Sequence, residues 1–169
     1  MEITLAADND KAAILKLIHE CIKDMDSKGI FQWNHRYPDL DIVSEDVDKR
    51  TLFLRKNEID YLGIITINEE QPPEYKTIEW ITNKEKALII HRLAVNPKWQ
   101  DRGIANMLMD FAEDYAEKNN YVSIRLDAYS GNQKALKLYE KRGYKRVGQT
   151  YFPMRELPFY CYEKLIQAK

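Results

Sequence analysis

The chain is poor in the residues that would staple or coordinate it. Among 169 residues there are two cysteines, three histidines, six glycines and six prolines. Cys21 and Cys161 each sit in an apolar pattern, which reads as buried thiols in a reducing compartment rather than a disulfide, and no spacing suggests a metal site. There is no apolar run of membrane-spanning length, and the N-terminus has neither a basic start nor a continuous apolar stretch. A net charge of −1 without a basic patch or acidic tail argues against nucleic-acid and membrane-surface partners. Internal repeats, linkers and low-complexity tracts are absent as well. The expectation is a cytoplasmic protein without metal, whose 44% hydrophobic content supports one ordinary domain over residues 1–169.

What is present centres on one strand–loop–helix passage. Ala87-Leu88-Ile89-Ile90-His91-Arg92-Leu93-Ala94-Val95 is apolar and rich in β-branched residues, with Asn96-Pro97 as its stop. Beyond the loop, Ile104, Met107, Leu108, Phe111, Ala112, Tyr115 and Ala116 fall at the spacing of a helix that buries one face. The connecting Gln100-Asp101-Arg102-Gly103-Ile104-Ala105 therefore sits where a helix presents unpaired N–H groups and the positive end of its dipole. Gly103 and Ala105 let backbone approach a bulky anion, and Gln100 and Arg102 add donors, so the loop suits a phosphate. A plain surface loop is the alternative. The Rossmann and P-loop patterns are excluded for want of their glycines and lysine.

In order along the chain, Met1 to Ala6 reads as a short strand, and Asp8 or Asn9 caps a helix burying Ile14, Leu17, Ile18, Cys21, Ile22 and Met25. Ile30 to Pro38 is an aromatic loop that lines a ligand pocket or folds onto the core. Asp39 to Arg50 reads as a short acidic helix burying Ile42, Val43 and Val47, and Thr51–Arg55 with Ile59–Ile67 as a hairpin. Gly63 marks a bulge or a close backbone approach. Tyr75 to Ile81 is read as a short irregular strand. Val122, Ile124 and Leu126 alternate with Ser123, Arg125 and Asp127, predicting a strand buried on one face. Ser130 or Asn132 caps the next helix, Gly143 ends it, and Tyr144–Val147 and Leu157–Leu165 form the last strands. The resulting β-α-α-β-β-β-α-β-α-β-β order predicts an α/β (α+β) domain on a mixed, mostly antiparallel sheet of six to seven strands with about four helices.

Gln100-x-x-Gly103-x-Ala105 after a strand ending Leu93-Ala94-Val95-x-Pro97 resembles the pyrophosphate-binding signature of the GNAT superfamily of acyl-CoA N-acyltransferases. Asn132-x-x-Ala135-x-x-x-Tyr139-x-x-x-Gly143-Tyr144 is similar to that family's second CoA segment, with Tyr144 where phenylalanine is common. The resemblance implies a GNAT-like fold with acetyl-CoA as co-substrate. It implies main-chain contacts from Leu93 and Val95 to the pantetheine arm, a pyrophosphate held by Gln100, Asp101, Arg102, Gly103, Ile104 and Ala105, and further contacts from Asn132, Ala135 and Tyr139. Lys134 and Lys137 would reach the adenosine phosphates or form an exposed helix face.

The chemistry implied is N-acetyl transfer to a primary amine by direct attack, with Tyr139 as the acid to the departing thiolate. The absence of a Ser-His-Asp or Cys-His signature agrees with a path lacking an acyl-enzyme. His91 shares strand parity with Leu93 and Val95 and is the first choice of base; His35, Glu79 and water are alternatives. Trp33, Tyr37, Tyr75 and Trp80 are expected on the acceptor side, facing a small-molecule or peptide amine. A homodimer is allowed. The contrasting readings are an inactive CoA-binding regulatory or interaction module, for which Tyr139 would not matter, and a binder of another nucleotide phosphate.

Overall fold

The periodicities resolve into seven strands and four α-helices among the residues that the computed structural model describes, 2–83 and 86–166. Met1, where the expected first strand begins, lies outside them. The elements are β1 (Thr4–Leu5), α1 (Lys11–Ser27), α2 (Leu40–Asp48), β2 (Leu52–Lys56), β3 (Tyr61–Asn68), β4 (Ala87–Val95), α3 (Ile104–Lys118), β5 (Ser123–Tyr129), α4 (Gln133–Lys141), β6 (Lys145–Thr150) and β7 (Phe159–Leu165). The strands follow the order β1-β2-β3-β4-β5-β7-β6. The β1–β2, β2–β3, β5–β7 and β6–β7 pairs are antiparallel and β4–β5 is parallel, so the mixed α/β sheet predicted from the element order is present. By compactness the chain divides into two units, Met1–Ile67 with Arg92–Phe111, and Asn68–His91 with Ala112–Lys169.

In the first unit, α1 buries Ile14, Leu17, Ile18, Cys21 and Ile22 in a cluster with Leu52, Leu54, Ile64, Val43 and Val47. Trp33 of the aromatic loop joins this cluster, so its ring completes the core rather than facing a ligand. The cap expected at Asp8 or Asn9 is displaced: Asp8–Asp10 form a 3-10 turn and Asp10 precedes α1. The buried Asp10 carboxylate accepts from Ala7 N (2.9 Å), Lys56 Nζ (2.8 Å) and Tyr61 Oη (2.6 Å), which explains its place inside. Asp39 caps α2 through Ile42 N (3.0 Å). Asp46, on the buried side of α2, accepts Nη2 (2.6 Å) and Nε (3.0 Å) of Arg92, whose Nη1 donates to Tyr37 Oη (2.9 Å).

Two details of α3 bear on the loop before it. Ile104, Leu108, Ala112 and Ala116 are buried as predicted, but Met107 is 38% exposed while Met109 is fully enclosed. The stripe through 104, 108, 112 and 116 is centred so that position 109 flanks it inward and 107 outward. Gly63 proves to be the close approach: a Cβ there would lie 2.9 Å from the Ala94 carbonyl oxygen and 3.0 Å and 3.1 Å from Leu108 and Ile104 carbons.

In the second unit, β5 lies between β4 and β7 and is covered on both faces, which corrects the half-solvated strand expected. Its polar positions are accommodated by pairing. Glu163, fully buried, accepts from Arg125 Nε (3.1 Å) and Ser123 Oγ (2.7 Å). The strand expected at Tyr75 to Ile81 is instead a 3-10 turn, Pro73–Thr77, because Pro72-Pro73 lacks ladder donors. It buries Tyr75 against Trp80 (ring centroids 4.8 Å apart) beside Ile89 and Cys161.

Because the neighbour facing Gly63 is backbone, Gly63→Ala should destabilise the protein by about 1–3 kcal/mol in chemical denaturation, with the transition slope unchanged.

Candidate active site

Along β4 the exposure alternates: Arg92 and Ala94 are buried, and His91, Leu93 and Val95 are half-buried on the other face, the shared parity predicted. The Val95 carbonyl accepts a hydrogen bond from Cys21 Sγ (3.3 Å). After Val95, Asn96 caps a 3-10 turn, Pro97–Trp99, by accepting from Lys98 N (3.0 Å). Gln100 then donates from Nε2 to Asp24 Oδ2 (3.3 Å), and the Arg102 guanidinium lies 4.9 Å from the centre of the Trp99 ring.

The loop closes on α3 through two left-handed residues, Asp101 (φ 60°) and Gly103 (φ 80°). Glycine takes that conformation freely; for aspartate it carries a backbone cost of about 1–2 kcal/mol, of the kind that persists at functional turns. α3 starts at Ile104, so its first N–H groups face out of the helix at this turn, and the donor set suits a phosphate.

In the second unit, Asn132 settles the capping alternatives: its Oδ1 accepts from Ala135 N (3.1 Å) at the start of α4. Lys134 and Lys137 lie on the exposed side of this helix. Tyr139 is buried against Tyr144 and Tyr162, with ring centroids 6.0 Å and 6.2 Å away. Burial, then the nearby Asp127 charge, pushes its phenol well above the usual range, so it stays protonated with an O–H available to donate.

Asp127 is the functional candidate that sequence reasoning missed. On an alternating strand it passed for a solvent-facing residue, yet its carboxyl is enclosed on most sides while remaining half-buried by exposure. Tyr75 donates to its Oδ2 at 2.7 Å. Burial pushes Asp127 up to about 6, with Glu74 adding to the rise and the Tyr75 hydrogen bond opposing it. Tyr75, Asp127, Tyr139 and Cys161 thus share one electrostatic neighbourhood.

His91 Nε2 lies 2.7 Å from Asn68 Oδ1. The parallel β4–β5 register runs from Ala87↔Ser123 to Ile90↔Leu126 and stops one step before His91 and Asp127. His35 and Glu79, the other bases considered, are exposed. Among the described residues no group of three or more His, Cys, Asp or Glu is placed to hold a metal ion, and no helix is long and apolar enough to cross a membrane.

A strand, a tight left-handed turn and a helix N-terminus beside a parallel strand pair describe an acyltransferase of the GNAT class. The chain belongs to that family: residues 15–144 match the profile of the Acetyltransferase (GNAT) family, and the protein is an acetyltransferase. It is 21% identical over 145 residues to YesJ of Bacillus subtilis strain 168, an uncharacterized N-acetyltransferase, covering 85% of this chain and 81% of that protein. A solved structure of a Staphylococcus aureus Mu50 protein of the acetyltransferase class is 27% identical, with a TM-score of 0.78 over 99% of this chain and 100% of the other. A GNAT-family acetyltransferase structure from Streptococcus agalactiae 2603 reaches a TM-score of 0.82 at 21% identity, covering 99% of this chain and 96% of that one.

A carboxyl whose pKa rises on folding binds its proton more tightly in the native state, so its contribution to stability is present below the ordinary 3.8 and lost as pH rises through about 6. Asp127→Asn removes this charge. Its melting temperature should exceed that of the parent at neutral pH and converge with it in acid, as followed by circular dichroism.

Proposed function

We propose that this acetyltransferase moves the acetyl group of acetyl-CoA to a primary amine by direct attack on the thioester, and that residues 1–169 act as one acyltransferase domain. The observation that carries the finer reading is Tyr139, a buried phenol held in its protonated form. Such a group keeps its O–H at neutral pH, and that O–H can hydrogen-bond or protonate the sulfur on which negative charge develops as the C–S bond breaks.

The other assignments follow the two sequence segments. Gln100, Asp101, Arg102, Gly103, Ile104 and Ala105 hold the pyrophosphate through backbone N–H groups and the helix dipole. Leu93 and Val95 face the pantetheine arm from the half-buried side of β4, and Asn132 and Ala135 form the start of α4 that orients Tyr139. His91, the first choice of base from the sequence, shares this face of β4, with its Nε2 2.7 Å from Asn68 Oδ1. The acceptor is a small-molecule or peptide amine, the setting cytoplasmic, and neither nucleic acid nor membrane is a partner; a homodimer fits the same reading.

The test combines calorimetric titration of acetyl-CoA with an amine screen read by thiol release. Tyr139→Phe should bind acetyl-CoA as the parent does and lose about 10²–10⁴-fold in kcat. Unchanged turnover in the variant would remove Tyr139 from the chemistry, and no acetyl-CoA binding by the parent would reject the function as a whole.

A further inference from the structure

Four carboxylates are drawn in among the described residues, and they are not equivalent: Asp10 is paired with Lys56. Asp46 is paired with Arg92, and Glu163 with Arg125, each a charge neutralised by a charge. Asp127 forms no ion pair among the described residues; its hydrogen bond comes from a neutral phenol, Tyr75, itself buried. A carboxylate kept inside for structure alone would be expected to have a cation beside it.

The position of Asp127 has the same character. Ile89 and Arg125 are register partners across β4 and β5, so His91 and Asp127, two residues on, stand on that same face where the ladder has just ended. Tyr75 approaches from the 3-10 turn, Glu74 adds its charge from the same turn, Tyr139 comes from α4, and Cys161 is the register partner of Asp127 on β7. As a residue Asp127 is only half-buried.

We propose that Asp127 is the catalytic base that takes the proton from the acceptor ammonium, and that Tyr75 is a positioning residue that holds its carboxylate in the working orientation and charge state. The proposal rests on the acetyl-transfer reading above. In the step, an ammonium N–H proton passes to Asp127. The freed nitrogen lone pair forms the C–N bond at the thioester carbonyl carbon, and collapse of the tetrahedral intermediate breaks the C–S bond. The sulfur keeps that electron pair and receives the Tyr139 proton. The nitrogen loses its second proton, which returns Tyr139 to its starting form, and Asp127 releases the first to solvent.

A base titrating near about 6 is ionised at neutral pH yet still a useful acceptor. The Tyr75 hydrogen bond favours the charged form, so its loss raises the pKa of Asp127 and moves the acid limb of the rate profile to higher pH. By register His91 stands near the same carboxyl, as do Glu74, Tyr139 and the Cys161 thiol, and the His91→Gln profile separates any imidazole contribution from that of Asp127.

The probes are putrescine, L-lysine and a short alanine-initiated peptide amide, with thiol release followed across pH for the parent, Asp127→Asn, His91→Gln and Tyr75→Phe. Asp127→Asn should lower kcat by about 10²–10⁴-fold, more than His91→Gln does, with acetyl-CoA affinity retained. Tyr75→Phe should shift the acid limb upward and regain activity in alkali, which a purely structural lesion would not do. In parallel, isotope-edited NMR of the carboxyl carbons needs no turnover. It should show Asp127 titrating near about 6 in the parent and higher in Tyr75→Phe. Titration at an ordinary carboxylate value, or a larger kcat loss in His91→Gln than in Asp127→Asn, would overturn the assignment. Failure of acetyl-CoA to bind would instead reject the function on which it rests.

Discussion

Strands β4 and β5 are parallel neighbours, and a parallel pair cannot be joined by a tight turn. The chain leaving Val95 must cross over before it can lay down Ser123, and α3 is that crossover. From this one requirement come the turn at Gln100–Gly103, the exposed N-terminus of α3 at the carboxyl end of β4, and the left-handed residues that bend the chain into it. Ligands of open α/β sheets gather at such strand ends because loops and helix dipoles converge there. The same pairing also ends early, at Ile90 and Leu126, one step before His91 and Asp127.

How the interior handles charge separates framework from function. Arg92–Asp46 and Arg125–Glu163 let charged residues occupy buried strand and helix positions, each partner offsetting part of the desolvation of the other. Asp127 lacks such a partner among the described residues, and burial pushes its carboxyl up to about 6. Tyr139 is shifted by burial in the direction that keeps it a donor. The two shifts lie in one unit of the fold and arise from the same cause, removal from water.

Much of this was legible in advance where a pattern is long and local. The run from Ala87 to Val95 became β4 without adjustment, and the apolar spacing after Ile104 became α3, because such periodicities depend on the chain's own geometry. The errors lie where a neighbour decides. Met107 and Met109 exchange roles according to which side of α3 is covered. The polar residues of β5 look solvent-facing until β7, with Glu163, is laid beside them. Trp33 looked equally fit for a pocket or a core, and only the packing of α1 and α2 around it decided for the core.

The amino-acid order by itself determined the element sequence, the turn with Gly103 and the family to which the chain belongs, and singled out Tyr139 as a candidate, since these rest on spacing and residue type within single segments. The tertiary structure alone decided the surroundings of Asp127, which forms no ion pair among the described residues. Its proton affinity comes from surroundings that residues far along the chain assemble, Tyr75 from a 3-10 turn and Cys161 from the last strand. Desolvation is a property of everything that surrounds a group, and no short stretch of sequence contains it.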